Sequence, residues 1–250
     1  MAEQTSSRTS GVEASEVENA HDFKIDGRTV RVLLALKSPR IVLLEGMLSA
    51  DECDELIKDA EPTLARSTVV HSTSGSGVVD DVRTSDSADI NFIDSPITDR
   101  LNRRIEALTG IPVEHGEKLQ VLRYGRGGEY KPHHDFFDPE IPGDAVQLEG
   151  GGQRIATVIV YLNDVIAGGE TAFPQVGLEI TPKKGCALYF GYGTSATDVD
   201  YRSLHAGRPV LAGNKWIATK WLRDRAQRPY AKPASIDQTE PAIATEMSIS

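Results

Sequence analysis

Hydrophobic and polar residues alternate in the part of the chain that follows Arg28. The alternation is carried by apolar residues that lie mostly two positions apart, namely Val30, Val32, Leu34, Ile41 and Leu43. Successive side chains of a β-strand point to opposite faces of a sheet, so residues two positions apart share one face. The pattern therefore predicts strands between Arg28 and Leu44 that pack against the elements that follow.

The apolar spacing changes to a helical period in two places. Ser49 and Glu52 have the spacing of a capping box, which predicts a helix that runs to about Ala60. A second helix is predicted from Ser95 to a glycine stop at Gly110, with its apolar residues on one stripe. We expect both helices to brace a sheet.

From residue 118 onward the pattern is that of short strands separated by glycine, proline, asparagine or aspartate. The predicted strands span residues 119–124, 155–162, 179–181, 187–190, 207–210 and 216–221. Many short strands with such turns are typical of a jelly roll rather than of alternating βαβ units. We therefore expect an α+β fold that is mainly β, with a double-stranded β-helix (jelly-roll) core and supporting α-helices packed on the outside.

The two ends of the chain differ from this middle part. Residues 1–27 are rich in Ser, Thr, Glu and Ala without a hydrophobic period, and residues 226–250 are a polar run punctuated by proline. Such segments cannot bury enough apolar surface to fold, so we predict one domain over residues 28–225 between two disordered tails. The Ser/Gly-rich residues 71–80 are either a connection, which the sequence slightly favours, or a substrate lid.

Composition narrows the function classes. The formal charge of −10 and the pI of about 5.1 argue against binding to nucleic acid or to an anionic membrane. No apolar run approaches the ~18–20 residues of a membrane span, and residues 1–20 lack the apolar core of a secretory signal. Cys53 and Cys186 lie in apolar-patterned segments, where we expect reduced, buried thiols. These features predict a cytoplasmic protein.

Residues suited to metal chemistry occur together in the segment 130–136. If this segment is extended, His133 and Asp135 point to one side and His134 to the other. A histidine and a carboxylate with a third ligand form the facial triad that suits non-heme Fe(II). Of the other histidines in the chain, His205 in the later β region is the natural third ligand. A lone histidine is more commonly structural, so these residues do not decide the matter alone.

A lysine ten residues after His205 adds a second kind of chemistry. Alternation places Lys215 on the same strand face as Ile217 and Trp221. If that face points inward, the buried ammonium group must lose its proton or meet an anion, and a ligand carboxylate would be such an anion. Equally, Lys215 at the mouth of the strand could extend its charged end to water.

These positions, together with several longer phrases, resemble the catalytic domain of the prolyl 4-hydroxylases within the Fe(II)/2-oxoglutarate dioxygenases. The resemblance covers about residues 28–225. The matching phrases are residues 83–85, 119–125, 130–135, 153–157, 161–164, 168–174, 204–210 and 213–216. The doubled His133-His134 departs from the familiar pattern, and strand parity selects His133 as the ligand.

The resemblance implies a role for each matching position. His133, Asp135 and His205 would bind Fe(II), and Lys215 would pair with the distal carboxylate of 2-oxoglutarate. Further residues are assigned to the co-substrate pocket, namely Tyr124, Thr157 and Tyr161. Two more are assigned to the substrate channel, namely Tyr130 and Arg154.

The activity that the resemblance implies is hydroxylation of a prolyl residue in a peptide or protein. Such a reaction converts 2-oxoglutarate and O2 to succinate and CO2, with ascorbate as the expected reductant. One alternative keeps the chemistry but acts on a free amino acid or a natural-product small molecule. A second alternative is a metal-binding jelly-roll module without turnover. Lys215, Tyr124 and Thr157 argue against the second, because a metal scaffold needs no anion pocket.

Overall fold

A computed structural model describes residues 22–90, 95–195 and 198–227. The predicted tails lie outside these residues, apart from their ends nearest the domain. There the prediction is wrong, because Asp22–Ile25 forms a strand that pairs antiparallel with Arg28–Leu36. The turn between them is Asp26-Gly27, both with positive φ (50° and 73°). An Asp-Gly pair between strands is a strong hairpin signal, so the folded part begins before residue 28.

Nineteen strands and three α-helices occur within the described ranges. The strands are β1 Asp22–Ile25, β2 Arg28–Leu36, β3 Arg40–Glu45, β4 Ala65–Arg66, β5 Val69–Val70, β6 Gly77–Val78, β7 Asp86–Ile90, β8 Leu119–Tyr124, β9 Tyr130–His133, β10 Arg154–Tyr161, β11 Ala167–Gly168, β12 Thr171–Phe173, β13 Leu178–Ile180, β14 Ala187–Gly191, β15 Gly193–Ser195, β16 Asp198–Val199, β17 His205–Gly207, β18 Val210–Ala212 and β19 Lys215–Arg223. The helices are α1 Ala50–Ala60, α2 Pro96–Thr109 and α3 Pro142–Gly151. None of these helices is long and apolar enough to cross a membrane.

A nine-stranded antiparallel sheet forms the centre of the molecule, in the order β1-β2-β3-β14-β10-β19-β8-β7-β4. A four-stranded sheet, β13-β12-β17-β9, faces it. One cluster of buried apolar side chains joins the two sheets, and it includes Phe173, Phe190 and Ile217. A second cluster covers the other face of the large sheet and includes Leu56 of α1 and Leu101 of α2. The fold is thus mainly β, with helices outside, as predicted.

The two predicted helices are present with the predicted ends. Ser49 Oγ accepts from the Glu52 amide at 3.1 Å, and the Ser49 amide donates to Glu52 Oε2 at 2.8 Å. These two bonds confirm the capping box of α1. Helix α2 ends at Gly110, whose φ of 70° is the left-handed conformation that glycine adopts readily. Cys53 of α1 and Cys186 are both free and buried.

Two local predictions are wrong. The strand predicted over residues 207–210 is instead the end of β17 and the start of β18, interrupted at Arg208-Pro209. Proline has no amide hydrogen to donate to a ladder, and the Arg208 amide bonds the Glu170 carbonyl at 2.8 Å. No helix is predicted between residues 138 and 152, but the structure has the helix α3 there.

The Ser/Gly-rich segment packs against α3. It closes the short β5–β6 hairpin, and the Ser72 carbonyl accepts from the Gly143 amide at 2.7 Å. A Cβ atom at Gly143 would collide with the carbonyl oxygen of His71, so glycine is required for this approach. Gln147 Nε2 also donates to the Gly75 carbonyl at 2.8 Å. The segment is therefore part of a wall formed with α3, and its role as a lid stays a prediction.

Candidate active site

Two histidines face each other across neighbouring strands of the small sheet. His133 ends β9, and the register of the β9–β17 pair places it opposite His205. His133 Nε2 lies 3.6 Å from Asp135 Oδ1, and His205 Nε2 lies 3.6 Å from Asp135 Oδ2. The structure therefore brings together the three residues that the sequence selects.

The protein backbone fixes the orientation of both imidazoles. His133 Nδ1 lies 2.8 Å from the Lys131 carbonyl, and His205 Nδ1 lies 3.1 Å from the Ser203 carbonyl. A carbonyl oxygen only accepts, so each Nδ1 carries the proton and each Nε2 presents its lone pair to the centre. Burial and the nearby His205 lower the pKa of His133 to about 3, and burial also lowers the pKa of His205. Both rings are neutral, as metal ligation requires.

Asp135 is held from the large sheet. The Thr157 hydroxyl of β10 donates to Asp135 Oδ2 at 2.7 Å, and Arg154 Nη1 lies 3.4 Å from the Asp135 carbonyl. Burial opposes ionisation of Asp135, but the adjacent His205 and His133 outweigh it and lower its pKa to about 2. The carboxylate is therefore charged and oriented before any ligand binds.

His134 points away from this centre. Its Nε2 lies 3.0 Å from the Tyr201 carbonyl, and its ring packs 4.6 Å from that of Phe136. The predicted grouping of His133 with Asp135 therefore agrees with the geometry. The strand itself ends at His133, so the grouping depends on the bend that follows as well as on alternation.

A small cavity opens from the three residues and contains Lys215. Alternation along β19 places four residues on one face, and all four line this cavity, namely Lys215, Ile217, Thr219 and Trp221. Trp216 and Ala218, on the other face, lie on the helix side. Lys215 is 3% exposed and forms no hydrogen bond or ion pair with any described residue. Burial lowers its pKa to about 8, although Glu170 works in the opposite direction. The lysine therefore does not extend to water, and its buried charge can be neutralised by an anionic ligand.

The other residues assigned to the co-substrate pocket are only partly where the prediction puts them. Tyr124 pairs with Lys215 across β8 and β19, and its ring centre lies 5.6 Å from Lys215 Nζ. Thr157 is not part of the cavity lining, because its hydroxyl is engaged with Asp135 and, at 3.1 Å, with the Tyr192 hydroxyl. Tyr161 is not part of the lining either; its hydroxyl donates to Thr171 Oγ1 at 2.9 Å, and its ring centre lies 6.0 Å from Lys215 Nζ. Thr157 is therefore a positioning residue.

A larger cleft of about 690 Å³ leads from Asp135 to the surface. Tyr130 and Arg154, the two residues predicted for the substrate channel, both line it. The Tyr130 ring stacks on the His133 ring with centres 3.5 Å apart. The Arg154 guanidinium lies between the rings of Trp221 (4.3 Å) and Phe137 (4.8 Å).

Several residues of this cleft are not among the predicted site residues. Glu117 bonds Arg154 at 2.7 Å and Arg223 at 2.6 Å, which fixes the guanidinium stack. Arg83 lines both the cleft and the cavity. Trp221 could have been found, because it shares strand parity with Lys215. Glu117 could not, because its partners lie 37 and 106 residues away in the chain.

The residues present fit an Fe(II) ion. Three donor atoms, one each from His133, Asp135 and His205, lie within 4.8 Å of one another. Two neutral imidazole nitrogens and one carboxylate oxygen are the donor set of the facial triad, which leaves other coordination positions open. The adjacent unpaired cation Lys215 indicates that an anionic group belongs beside such an ion.

Comparison with known proteins agrees with this chemistry. Residues 119–223 match the model of the 2OG-Fe(II) oxygenase superfamily. The chain is 41% identical to the prolyl 4-hydroxylase subunit alpha-1 of Gallus gallus, over 81% of this chain and 39% of that protein. It is also 41% identical to prolyl 4-hydroxylase 1 of Arabidopsis thaliana, over 76% of this chain and 70% of that protein. The chain thus spans about two fifths of the length of the animal relatives.

A solved structure of a prolyl hydroxylase also resembles this chain. The viral collagen prolyl hydroxylase vCPH from Paramecium Bursaria Chlorella virus-1, in its 2OG complex, superposes with a TM-score of 0.54. Sequence identity in that match is 29%, and it covers 72% of this chain and 94% of the viral protein.

Proposed function

Because the chain belongs to the prolyl 4-hydroxylase family of the 2OG-Fe(II) oxygenases, we propose that it hydroxylates a prolyl residue in a peptide or protein. The co-substrates are O2 and 2-oxoglutarate, and the products besides the hydroxylated residue are succinate and CO2. The observation that carries the proposal is the buried Lys215, which has no ion-pair partner among the described residues and lies in the same cavity as the His133, Asp135 and His205 donors.

His133, Asp135 and His205 hold the Fe(II). When bound, the ion supplies the redox chemistry that couples decarboxylation of a 2-oxo acid by O2 to oxygenation of a substrate C–H bond. Burial keeps both imidazoles neutral, the Lys131 and Ser203 carbonyls hold the proton on each Nδ1, and Thr157 holds Asp135 in position. These contacts remove the need to reorganise the ligands on binding.

Lys215 binds the distal carboxylate of 2-oxoglutarate. Its ammonium group is buried in a cavity that Lys215 lines together with Tyr124. An ion pair formed there is screened little by water and is therefore strong and selective for a dicarboxylic 2-oxo acid. Tyr124 lines the co-substrate pocket.

The cleft beside His133 receives the peptide. Its volume of about 690 Å³ falls in the range of ligand clefts and leads directly to Asp135. Tyr130, stacked on the His133 ring, and Arg154, stacked on Trp221, offer flat surfaces to a prolyl ring at the point closest to the metal ligands. This open cleft favours a peptide over a free amino acid.

Succinate formation from 2-oxoglutarate tests the proposal directly. With Fe(II) and ascorbate present, we expect a proline-rich peptide to stimulate succinate formation well above the level without a prime substrate. Stimulation by free L-proline alone would indicate the small-molecule activity. No consumption of 2-oxoglutarate under any condition would favour a metal-binding module without turnover.

A matched pair of variants tests the assignment of the ligands. His133→Ala should abolish peptide-stimulated turnover, because it removes a metal ligand. His134→Ala should retain turnover, since its ring bonds the Tyr201 carbonyl outside the centre. The opposite result would exclude the proposed ligand set.

Three finer assignments complete the proposal. The two facing sheets form a double-stranded β-helix, which the likeness to the viral hydroxylase supports. Ascorbate serves as the reductant, so turnover in its absence should decline during the assay. The location is cytoplasmic, in keeping with the free thiols of Cys53 and Cys186, and cell fractionation checks it.

A further inference from the structure

A second groove lies next to the catalytic cleft. It is open, has a volume of about 710 Å³, and is lined by residues of the β2–β3 turn, the end of β14 and the segment that follows β16. Three tyrosines line it, namely Tyr189, Tyr192 and Tyr201, and Tyr201 is 57% exposed. Its described lining contains neither the metal ligands nor Lys215, so the proposed catalysis does not account for it.

Aromatic side chains connect this groove to the catalytic cleft. His134 and Phe136 line the cleft, and Tyr201 lines the groove. The Tyr201 ring lies edge-on to both of the other rings, with its centre 5.3 Å from that of Phe136 and 5.5 Å from that of His134. The ring of Tyr192, a second groove residue, lies 6.1 Å from that of Phe136. A chain that leaves the cleft past Phe136 therefore meets Tyr201 at the groove.

Hydrogen bonds join the two walls of the groove. Arg202 Nη2 donates to Asp200 Oδ2 at 2.7 Å and to Ser38 Oγ at 2.7 Å. These bonds connect the β2–β3 turn, where Lys37 and Arg40 lie, to the segment that carries Tyr201. The groove is thus formed before any ligand binds, as is usual for a binding site.

The charges along the groove favour a negatively charged occupant. Three cations and two carboxylates line it, and one of the cations, Arg202, is paired with Asp200 at 2.7 Å. Lys37 and Arg40 form no ion pair with a described residue, and Asp198 is the one further carboxylate of the lining. The groove therefore carries a local excess of positive charge in a chain whose formal charge is −10.

A polypeptide substrate must extend beyond the catalytic cleft. An extended chain has a cross-section of about 4.8 by 10 Å, so a cleft of about 690 Å³ holds about four of its residues. We propose that the groove binds the continuation of the substrate polypeptide and takes an acidic stretch that adjoins the prolyl residue. Tyr201 contacts the chain between the two sites, and Lys37 and Arg40 pair with its carboxylates. The inference rests on the proposed function and adds a substrate class to it.

Two connected sites should change binding rather than chemistry. Once the prolyl segment occupies the cleft, the contact of the acidic stretch with the groove is intramolecular, which strengthens the binding of the whole chain. The acidic stretch does not touch the metal centre, so it should lower the KM of the peptide and leave kcat unchanged. The overall charge of −10 repels an acidic peptide, so such a gain requires a local site.

Steady-state kinetics with a matched series of peptides provides the test. A short proline-rich peptide is compared with versions that carry a run of glutamate, glutamine or lysine of equal length at either end. We expect the glutamate run at one end to lower KM about fivefold relative to the glutamine run, the size that two partly exposed ion pairs allow. The lysine run should give no gain, and salt at about 0.5 M should remove the gain from glutamate.

A pair of charge-reversal variants locates the contact. The double variant Lys37→Glu/Arg40→Glu should lose the gain from the glutamate run and keep the KM of the short peptide. The matched control is Lys58→Glu/Lys183→Glu, which changes the net charge equally. Both of its lysines are exposed and lie outside the linings of the cleft and the groove, so this variant should keep the gain.

Other results would overturn the inference in distinguishable ways. Equal gains from glutamate and lysine runs would contradict recognition of charge. A gain that survives in Lys37→Glu/Arg40→Glu would place the contact outside the groove. Turnover of the short peptide without a gain at either end would reject the inference and leave the proposed function intact. Turnover of no peptide would reject both.

Discussion

Arg104 and Lys215 are both almost fully buried cations, 2% and 3% exposed, but their surroundings differ. Arg104, on α2, makes two hydrogen bonds of 2.9 Å to the Glu52 carboxylate and one of 3.2 Å to Asp26. The ammonium group of Lys215 lies near the rings of Tyr124 and Tyr161, and the charge of Glu170 acts on it without a hydrogen bond or ion pair in the described part of the chain. Among the described residues, Arg104 has hydrogen-bonded carboxylates and Lys215 has none.

The difference between the two cations distinguishes a structural role for Arg104 from a ligand-binding role for Lys215. The buried guanidinium ties α2 to α1 and to the β1–β2 turn, and its charge is neutralised within the fold. A buried ammonium without a partner lowers stability, since its desolvation is not compensated. The fold tolerates this cost at Lys215, where a diacid ligand can supply the missing anion. A buried charge with partners in the fold, such as Arg104, therefore does not indicate a binding site. A buried charge without a partner among the described residues, such as Lys215, does.

The largest effect on stability should follow Arg104→Met. The substitution leaves Glu52 and Asp26 partly buried without their main partner, which should cost about 3 kcal/mol in the free energy of unfolding. The KM for 2-oxoglutarate in the folded fraction should stay unchanged. Denaturant titration and steady-state kinetics measure the two quantities. A change in that KM would mean that the α2 contact also shapes the pocket.

Lys215→Ala should show the reverse behaviour. Loss of the buried ion pair should raise the 2-oxoglutarate KM on the order of 100-fold, about 2.7 kcal/mol. The free energy of unfolding without ligand should be equal or higher, and Fe(II) binding should be largely intact. Lys184→Ala is the matched control, because the Lys184–Asp54 pair lies at the surface and contributes little. Unchanged co-substrate affinity in Lys215→Ala would exclude the pocket assignment.

How far the sequence predicts these two regions depends on the range of the contacts. The capping box spans three residues, and the strand Leu119–Tyr124 has a regular period, so both were predictable. The inward face of Lys215 was predictable for the same reason. The partners of Arg104 lie 52 and 78 residues away, and no local pattern identifies them.

Helix α3 and Thr157 show two further limits. Helix α3 contains three glycines, which are poor helix formers, and its contacts with the Ser/Gly-rich hairpin arise only in the folded chain. Strand parity indicates that Thr157 points toward the site. It does not show that the hydroxyl reaches Asp135 instead of the cavity.

Thr157→Val tests a third buried charge, the Asp135 carboxylate, which has a hydrogen-bond partner in the Thr157 hydroxyl. Loss of the hydroxyl that donates to Asp135 should weaken Fe(II) binding about tenfold, as expected for a group that positions a ligand. The KM for 2-oxoglutarate at saturating Fe(II) should change less. Thr219→Val is the matched control. It makes the same substitution at a residue that lines the cavity from β19, and it should leave Fe(II) affinity unchanged. Equal Fe(II) affinity in Thr157→Val and the wild-type chain would contradict the positioning role.

The smallest effect concerns acid stability. Burial alone would raise the pKa of Glu52, but hydrogen bonds from Arg104 and from the Ser49 amide lower it to about 2. A carboxyl group with a lowered folded-state pKa contributes stability that is fully present above its ordinary pKa near 4.5 and is lost as pH falls toward 2. Arg104→Met should flatten this part of the stability–pH curve. Lys215→Ala should keep the wild-type slope, because a lysine is protonated in both states below pH 5. Urea titrations between pH 5 and 2 compare the slopes, and equal slopes in all three chains would show that Arg104 does not control the ionisation of Glu52.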